Sequence, residues 1–159
     1  MSSESLTDEI SRLALATGAE LVGFIPAKKL ESIAQDGHKP SDLLKNARSI
    51  VMLACGRSIN EDRDYVYHWG PDFSLTYIRL KSDVQWRRRQ VRGSIDAVKD
   101  LLVQKGFSAV TEPHGWSGVL SFKTVARLAG LGVVGKGGFI VNPELGPLNV
   151  LACILTDAE

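Results

Sequence analysis

The sequence predicts an α/β domain of the layered α+β kind, and three observations predict it. Amphipathic helical stripes alternate along the chain with short apolar runs of strand length, so helices and strands are interleaved. One run, Ser49 to Cys55, is apolar without alternation, as expected of a strand covered on both faces. The length of 159 residues, with 44% hydrophobic and 23% charged content, is that of one globular unit with a sizeable core. About five strands with four to six helices packed on the sheet, in two or three layers, accommodate the pattern.

Ser5 is placed to cap a first helix with Asp8 in the capping-box position, and Leu6, Ile10, Leu13 and Ala14 form its apolar stripe before Gly18 ends it. Ala19 to Ile25 reads as a strand stopped by Pro26. Ala27 to Gln35 reads as a helix, and Pro40-Ser41-Asp42 starts another that runs through Ala47. Ser49 to Cys55 is the central strand. Gly56 to Phe73 lacks periodicity and mixes charges with aromatics, and a connection of that length inside a domain tends to be functional or mobile. Leu75 to Lys105 reads as one long helix or two in series, with Val84, Val91, Ile95, Val98 and Leu102 on one face and Gly93 as a potential kink. Gly106 closes it, Phe107 to Thr111 is a strand, and Glu112 to Gly118 is a polar loop. Phe122, Val125, Ala126 and Ala129 fall at helical spacing, Phe139-Ile140-Val141 is a strand, and Leu148 to Thr156 is the last one.

Several function classes are excluded by composition. A net charge of +1 gives no basic excess of the kind that marks nucleic-acid binding. The two cysteines, Cys55 and Cys153, each lie inside an apolar run and read as buried hydrophobes, too few for a disulfide framework or a cluster. An acidic, polar start and the lack of any apolar run of membrane length lead to the expectation of a cytoplasmic protein with no membrane partner. His114 stands without a partner at metal-ligand spacing, so no metal site is expected.

Ala129 to Gly138 holds five glycines and one lysine in ten positions, and such a backbone can take positive φ and be approached closely. Gly130, Gly132 and Gly135 satisfy G-x-G-x-x-G, but a dinucleotide loop leaves a strand and opens a helix, and here the order is reversed. Gly130 to Lys136 fits a phosphate-loop spacing, yet Gly137 replaces the Ser or Thr that holds magnesium. A helix end followed by a tight turn explains one or two of the glycines, so a ligand-contacting loop is favoured over a bare turn. Elsewhere, Tyr67 and His68 suit either a proton donor and stacking wall or a loop pinned by Tyr65 and Trp69. Arg87, Arg88, Arg89 and Arg92 beside Trp86 form a basic patch that reads first as a solvated helix face.

The segment Ala129-Gly-Leu-Gly-Val-Val-Gly-Lys136, followed by Phe139-Ile-Val-Asn-Pro143, Gly146-Pro147 and a strand closing in Thr156-Asp157, resembles the signature of the epoxyqueuosine reductase and reductive dehalogenase group. Thr17 to Phe24 and Pro40 to Leu53 are similar to that group's opening elements. The resemblance implies a nitroreductase-like fold over residues 1–159, forming a single corrinoid-binding domain, either a piece of a longer reductase or a stand-alone unit. It implies cobalamin as cofactor, held by Gly130, Gly132, Gly135, Gly137 and Gly138, with Lys136 toward the phosphodiester of its tail. It further implies a small-molecule or modified-nucleoside substrate, with Tyr67, His68 and His114 as candidates to supply a proton. Two departures stand out. The group carries cysteine-rich iron–sulfur segments after the Thr-Asp end, so an iron–sulfur partner protein or further domain, or self-association through an uncovered face, is expected. Trp116-Ser117 also occupies the place of an Asp-Ser pair. A non-catalytic corrinoid carrier and an FMN domain, with the arginine patch on the flavin phosphate, are the alternatives.

Overall fold

The computed structural model describes residues 5–56, 73–112, 118–147 and 149–159, with the side chains of 73–88 and of 149 left aside. Its elements run α1 (Leu6–Ala16), β1 (Leu21–Pro26), α2 (Ala27–Glu31), α3 (Pro40–Leu43), β2 (Ser49–Gly56), α4 (Phe73–Gln104), β3 (Ala109–Thr111), α5 (Phe122–Leu128), β4 (Val133–Val134), β5 (Ile140–Val141) and β6 (Asn149–Thr156). A four-stranded sheet has the order β1-β2-β6-β3, antiparallel throughout, and β4 and β5 pair as a separate small ribbon.

β2 and β6 are the axis of the molecule, paired from Ser49↔Thr156 to Gly56↔Asn149. Side chains alternate across a strand, so a run that is apolar at every position must be covered on both sides. Ile50, Met52 and Ala54 face a cluster completed by Leu30 of α2, Val125 and Ala126 of α5, and Leu131, Ile140 and Leu145. Val51, Leu53 and Cys55 face a second cluster with Ile10 and Ala14 of α1 and Val91, Ile95, Val98 and Leu102 of α4. The result is three layers, with α1 and α4 on one face and α2, α5 and the small ribbon on the other. Fully buried side chains such as Ile50, Leu53, Ile154 and Leu155 each contribute about 2–3 kcal/mol of transfer free energy.

Local chemistry fixes the ends of the elements. The Ser5 hydroxyl accepts from the Asp8 N–H at 3.2 Å and donates to its carboxylate at 2.6 Å, which starts α1 at the expected residue. Ser94, fully buried on α4, donates to Ala14 O at 3.0 Å and accepts from Ala19 N–H at 2.8 Å, so one hydroxyl joins α4 to the end of α1 and the entry to β1. α4 is a single continuous helix of 32 residues through Gly93, the first of the two readings of this stretch, and a Cβ at Gly93 would lie 3.5 Å from Thr17 O, so that glycine marks close approach of the α1 end. At its end Gly106, at φ +87°, donates to Val103 O and Phe107 N–H donates to Leu102 O. This cap consumes Phe107, and the following strand is accordingly shorter than expected, Ala109–Thr111.

Other expectations shift as well. α2 stops at Glu31 and α3 at Leu43, both well short of the sequence reading, although Ala34, Leu44 and Ala47 beyond their ends still pack against the core. There are six strands rather than five among the described residues; the extra one, β4, is a two-residue strand inside the glycine-rich stretch, too short for any periodicity to announce. The Thr156-Asp157 end is a structural tie. Thr156 is 1% exposed and its hydroxyl accepts from Ala158 N–H, while the Asp157 carboxylate accepts from Ser108 N–H at 2.8 Å and so fastens β3 beside β6.

Candidate functional site

The glycine-rich stretch follows α5 and folds back as the β4–β5 ribbon. α5 buries Val125 and Ala126 and ends in a left-handed cap: Gly130, at φ +74°, donates to Arg127 O at 3.1 Å and Leu131 N–H donates to Ala126 O at 2.9 Å. The helix end lies directly on the sheet, since a Cβ on Gly23 of β1 would sit 2.8 Å from both the Cβ and the carbonyl oxygen of Ala129. β4 pairs with β5 at Val133↔Val141 and Val134↔Ile140, and the turn between them is closed by Gly135 N–H to Phe139 O and Gly138 N–H to Gly135 O, both 2.9 Å.

The glycines divide by physical role. Gly130 and Gly138 have positive φ that the cap and the turn require. A Cβ on Gly132 would meet Val141 O at 2.5 Å, so this residue is small because the ribbon's own backbone passes over it. A Cβ on Gly135 would meet the Val141 side chain at 3.0 Å. Gly137 is different: a Cβ there would find only the Phe139 ring, at 3.5 Å, and its φ is unremarkable. It lies on the exposed turn beside Lys136. The cap and the turn account for Gly130 and Gly138, as a helix end and a turn were expected to, and packing within the ribbon accounts for Gly132, so replacing Gly132 tests the ribbon before it tests a ligand.

Outside these glycines the ribbon presents Val133, Val134 and Phe139 to solvent, 66%, 47% and 67% exposed. Three large apolar side chains on an excursion of so few residues, next to an exposed lysine, form a surface suited to a large ligand with apolar and anionic parts. The ribbon is held by Asn142, which sequence reasoning quoted only as part of a signature. This residue is 8% exposed; its Nδ2 donates to Leu131 O at 2.6 Å, and its Oδ1 accepts from Glu144 N–H at 2.7 Å and Leu145 N–H at 3.0 Å. The Asn-Pro pair at 142–143 was the available signal, since it favours turn initiation.

The start of α5 borders a cleft of about 570 Å³ between α2 and α5, lined by Leu30, Ile33, His38, Val119, Thr124 and Arg127 among others. Behind its wall lies Glu112, 4% exposed. Its Oε1 accepts from Leu120 N–H at 2.9 Å, whereas Oε2 is buried without a hydrogen-bond partner among the described residues. Burial pushes the Glu112 carboxyl up, with the Leu120 and Val119 N–H groups and the charge of His38 opposing. The same surroundings push the Cys153 thiol far up, first by burial and then through the charge of Glu112. His38 reaches the wall from the other side, its Nδ1 lying 2.8 Å from Val119 O.

Of the sequence-predicted residues, Gly130, Gly132, Gly135, Lys136, Gly137 and Gly138 share the ribbon. Tyr67, His68 and His114, with Trp116-Ser117, lie outside the described residues. Arg89 and Arg92 are exposed on α4, as a solvated helix face requires, and the side chains of Arg87 and Arg88 lie outside the described set. Cys55 and Cys153 are both fully buried, on opposite faces of the sheet, so the two thiols cannot meet to form a disulfide. Among the described residues no helix is long and apolar enough to cross a membrane, and no group of three metal-ligating side chains gathers.

Comparison with known proteins agrees with the motif from Ala129 to Asp157. No family model matches the chain. In sequence it is 27% identical, over an alignment of 187 positions, to epoxyqueuosine reductase of Staphylococcus aureus (strain NCTC 8325 / PS 47), covering 98% of this chain and 46% of that protein. In fold it is similar to an epoxyqueuosine reductase crystallised with an epoxyqueuosine-modified tRNA-Tyr stem loop, with a TM-score of 0.65 at 22% identity, over 96% of this chain and 45% of the other. It is likewise similar to a reductive dehalogenase whose structure suggests a mechanism for B12-dependent dehalogenation, with a TM-score of 0.62 at 19% identity, over 94% of this chain and 20% of the other. The chain therefore spans less than half the length of these relatives; in sequence it is similar to an epoxyqueuosine reductase, and in fold to the epoxyqueuosine reductase and reductive dehalogenase group.

Proposed function

We propose that residues 1–159 form the corrinoid-binding domain of a reductase of the epoxyqueuosine reductase or reductive dehalogenase type, with the β4–β5 ribbon against the cofactor. The observation that carries this reading is the ribbon itself, which offers an open glycine at 137, the Lys136 ammonium and three exposed apolar side chains within seven residues. A cobalamin fits that surface chemically: the methyl groups of its macrocycle match Val133, Val134 and Phe139, and its amides and the phosphodiester of its tail match Lys136 and the N–H groups of the turn. When bound, such a group supplies the low-potential electron chemistry of a reductive step.

The chain's own share is binding, orientation and proton handling. The ribbon excludes water from the face it covers, Asn142 and the Gly130 cap keep it rigid, and Lys136 supplies charge at the tip. Tyr67, His68 and His114 are the candidates for delivering a proton to a small-molecule or modified-nucleoside substrate. Electrons come from outside these residues, from an iron–sulfur protein or domain, because the chain's two thiols are buried on opposite sides of the sheet. That same arrangement supports the second reading, a corrinoid carrier without turnover of its own.

Gly137→Val is the test that separates ligand from fold, since a Cβ there meets only the Phe139 ring. Titration with cob(II)alamin should show at least a tenfold loss of affinity with an unchanged thermal midpoint; equal affinity for wild type and variant refutes the ribbon assignment. Lys136→Ala should weaken cobalamin by about 1–3 kcal/mol and leave cobinamide, which lacks the nucleotide tail, unaffected.

A further inference from the structure

Buried carboxyl groups are expected to have their hydrogen-bonding capacity met, and one that does not calls for an explanation. Glu112 is that case here. One oxygen holds the Leu120 N–H; the other is buried with no hydrogen-bond partner among the described residues. The site is built for the carboxyl nonetheless. A Cβ at position 118 would stand 2.0 Å from Oε1, so Gly118 is the residue that makes room for it. Gly118, Val119, Leu120 and Ser121 are at the same time one wall of the cleft between α2 and α5. The wall is thus gripped twice, from within by Glu112 through Leu120 N–H and from without by His38 through Val119 O. Since a carbonyl only accepts, the His38 Nδ1 carries the proton in that bond whatever the charge of the ring.

We propose that Glu112 is a proton-operated positioning residue for this wall: as the neutral acid it stays buried and keeps Gly118 to Ser121 in place, and on ionisation it leaves its apolar site for water and releases the wall. The physical reason is the asymmetry of cost. A neutral acid is tolerated beside Cys153 and Leu120, whereas a carboxylate there has only the Leu120 and Val119 N–H groups to act on it, too few to replace the water it loses. The proton lost goes to solvent. The titratable groups that act on Glu112 are His38, from the connection between α2 and α3, and Cys153 of β6. Lys123 and Arg127, the charged residues of the helix behind the wall, are exposed. Ser121 is the N-cap position of α5, and α5 ends at the glycine ribbon, so release of the wall loosens the first turn of the helix that carries the candidate cofactor site. The inference stands on the Glu112 surroundings and is independent of the corrinoid reading.

The experiment is carbon-detected NMR of the whole chain labelled in glutamate, read beside amide exchange at Leu120 over the same pH range. The Glu112 Cδ signal should titrate above the range of free glutamate, and the Leu120 protection factor should fall at least tenfold with the same midpoint. In Glu112→Gln, which keeps the acceptor for Leu120 and removes the titration, that protection factor should be constant with pH. A Glu112 signal that titrates in the free-glutamate range, or a wild-type Leu120 protection factor that stays constant through the Glu112 midpoint, overturns the proposal. The wild-type titration decides the matter even if the variant does not fold.

Discussion

Asn142 shows how much one polar side chain can organise. It satisfies the Glu144 and Leu145 N–H groups after β5 and the Leu131 carbonyl before β4, and Asn142→Ala removes the partner from all three at buried or half-buried positions. The expected loss is about 2–3 kcal/mol, the cost of stranding buried backbone groups, measured as the shift in a urea unfolding curve. A loss below about half a kilocalorie would mean that water replaces the side chain freely. Glu112 gives a prediction of a different sort. Burial raises its pKa in the folded protein, so the native state holds this proton more tightly than the unfolded chain does. The stability linked to it is therefore complete below the ordinary glutamate value and is lost as pH rises through the raised one. In urea titrations across that window, wild type should lose stability with rising pH and Glu112→Gln should lose less. Parallel curves for the two would show that other groups set the slope.

At the scale of elements, α5 is the piece that delivers the ribbon to the sheet. It is only seven residues long, far too short to persist alone in water, and is held by Val125 and Ala126 in the core and by its Gly130 cap. Gly130→Ala forces a side chain into the left-handed region, although no neighbour crowds the position. About 1–2 kcal/mol of stability should be lost, with the thermal midpoint lowered and the ribbon the first region to lose amide protection. Gly137→Ala, where φ is ordinary, serves as the control and should leave the midpoint in place. The element reading also explains why the ion pairs contribute little: Lys105 to Glu9 at 2.7 Å joins the end of α4 to α1, but both partners are partly solvated.

The molecule as a whole is two cores divided by one sheet. Each core is lined by alternate residues of the same two strands, β2 and β6, so neither can lose its packing while the strands remain intact. Cys55 and Cys153 report on this directly, one in each core and both fully buried. In the native state both thiols should resist a thiol reagent, Cys153 the more so because burial holds its proton. With increasing urea they should become reactive together, as a single cooperative unit predicts. Release of one thiol well before the other, followed by mass spectrometry, would show that the layers unfold separately.

The chain's local chemistry determined a good deal without reference to the fold. The Ser5 cap, the stripe of α4, the two-sided burial of Ser49 to Cys55 and the glycine end of α5 all depend on neighbours within a few residues, and so their signals are carried in short windows of sequence. The glycine count was legible for the same reason, but its meaning was not. Whether Gly132 serves a ligand or the passage of Val141 O depends on a strand nine residues further on, and only the folded ribbon assigns it. Glu112 was plain in the sequence as a polar loop residue. Its burial beside Cys153, its grip on Leu120 and its unmatched oxygen arise because β3 is drawn against β6 by the tie between Ser108 and Asp157, a pairing across 49 residues that no local pattern encodes.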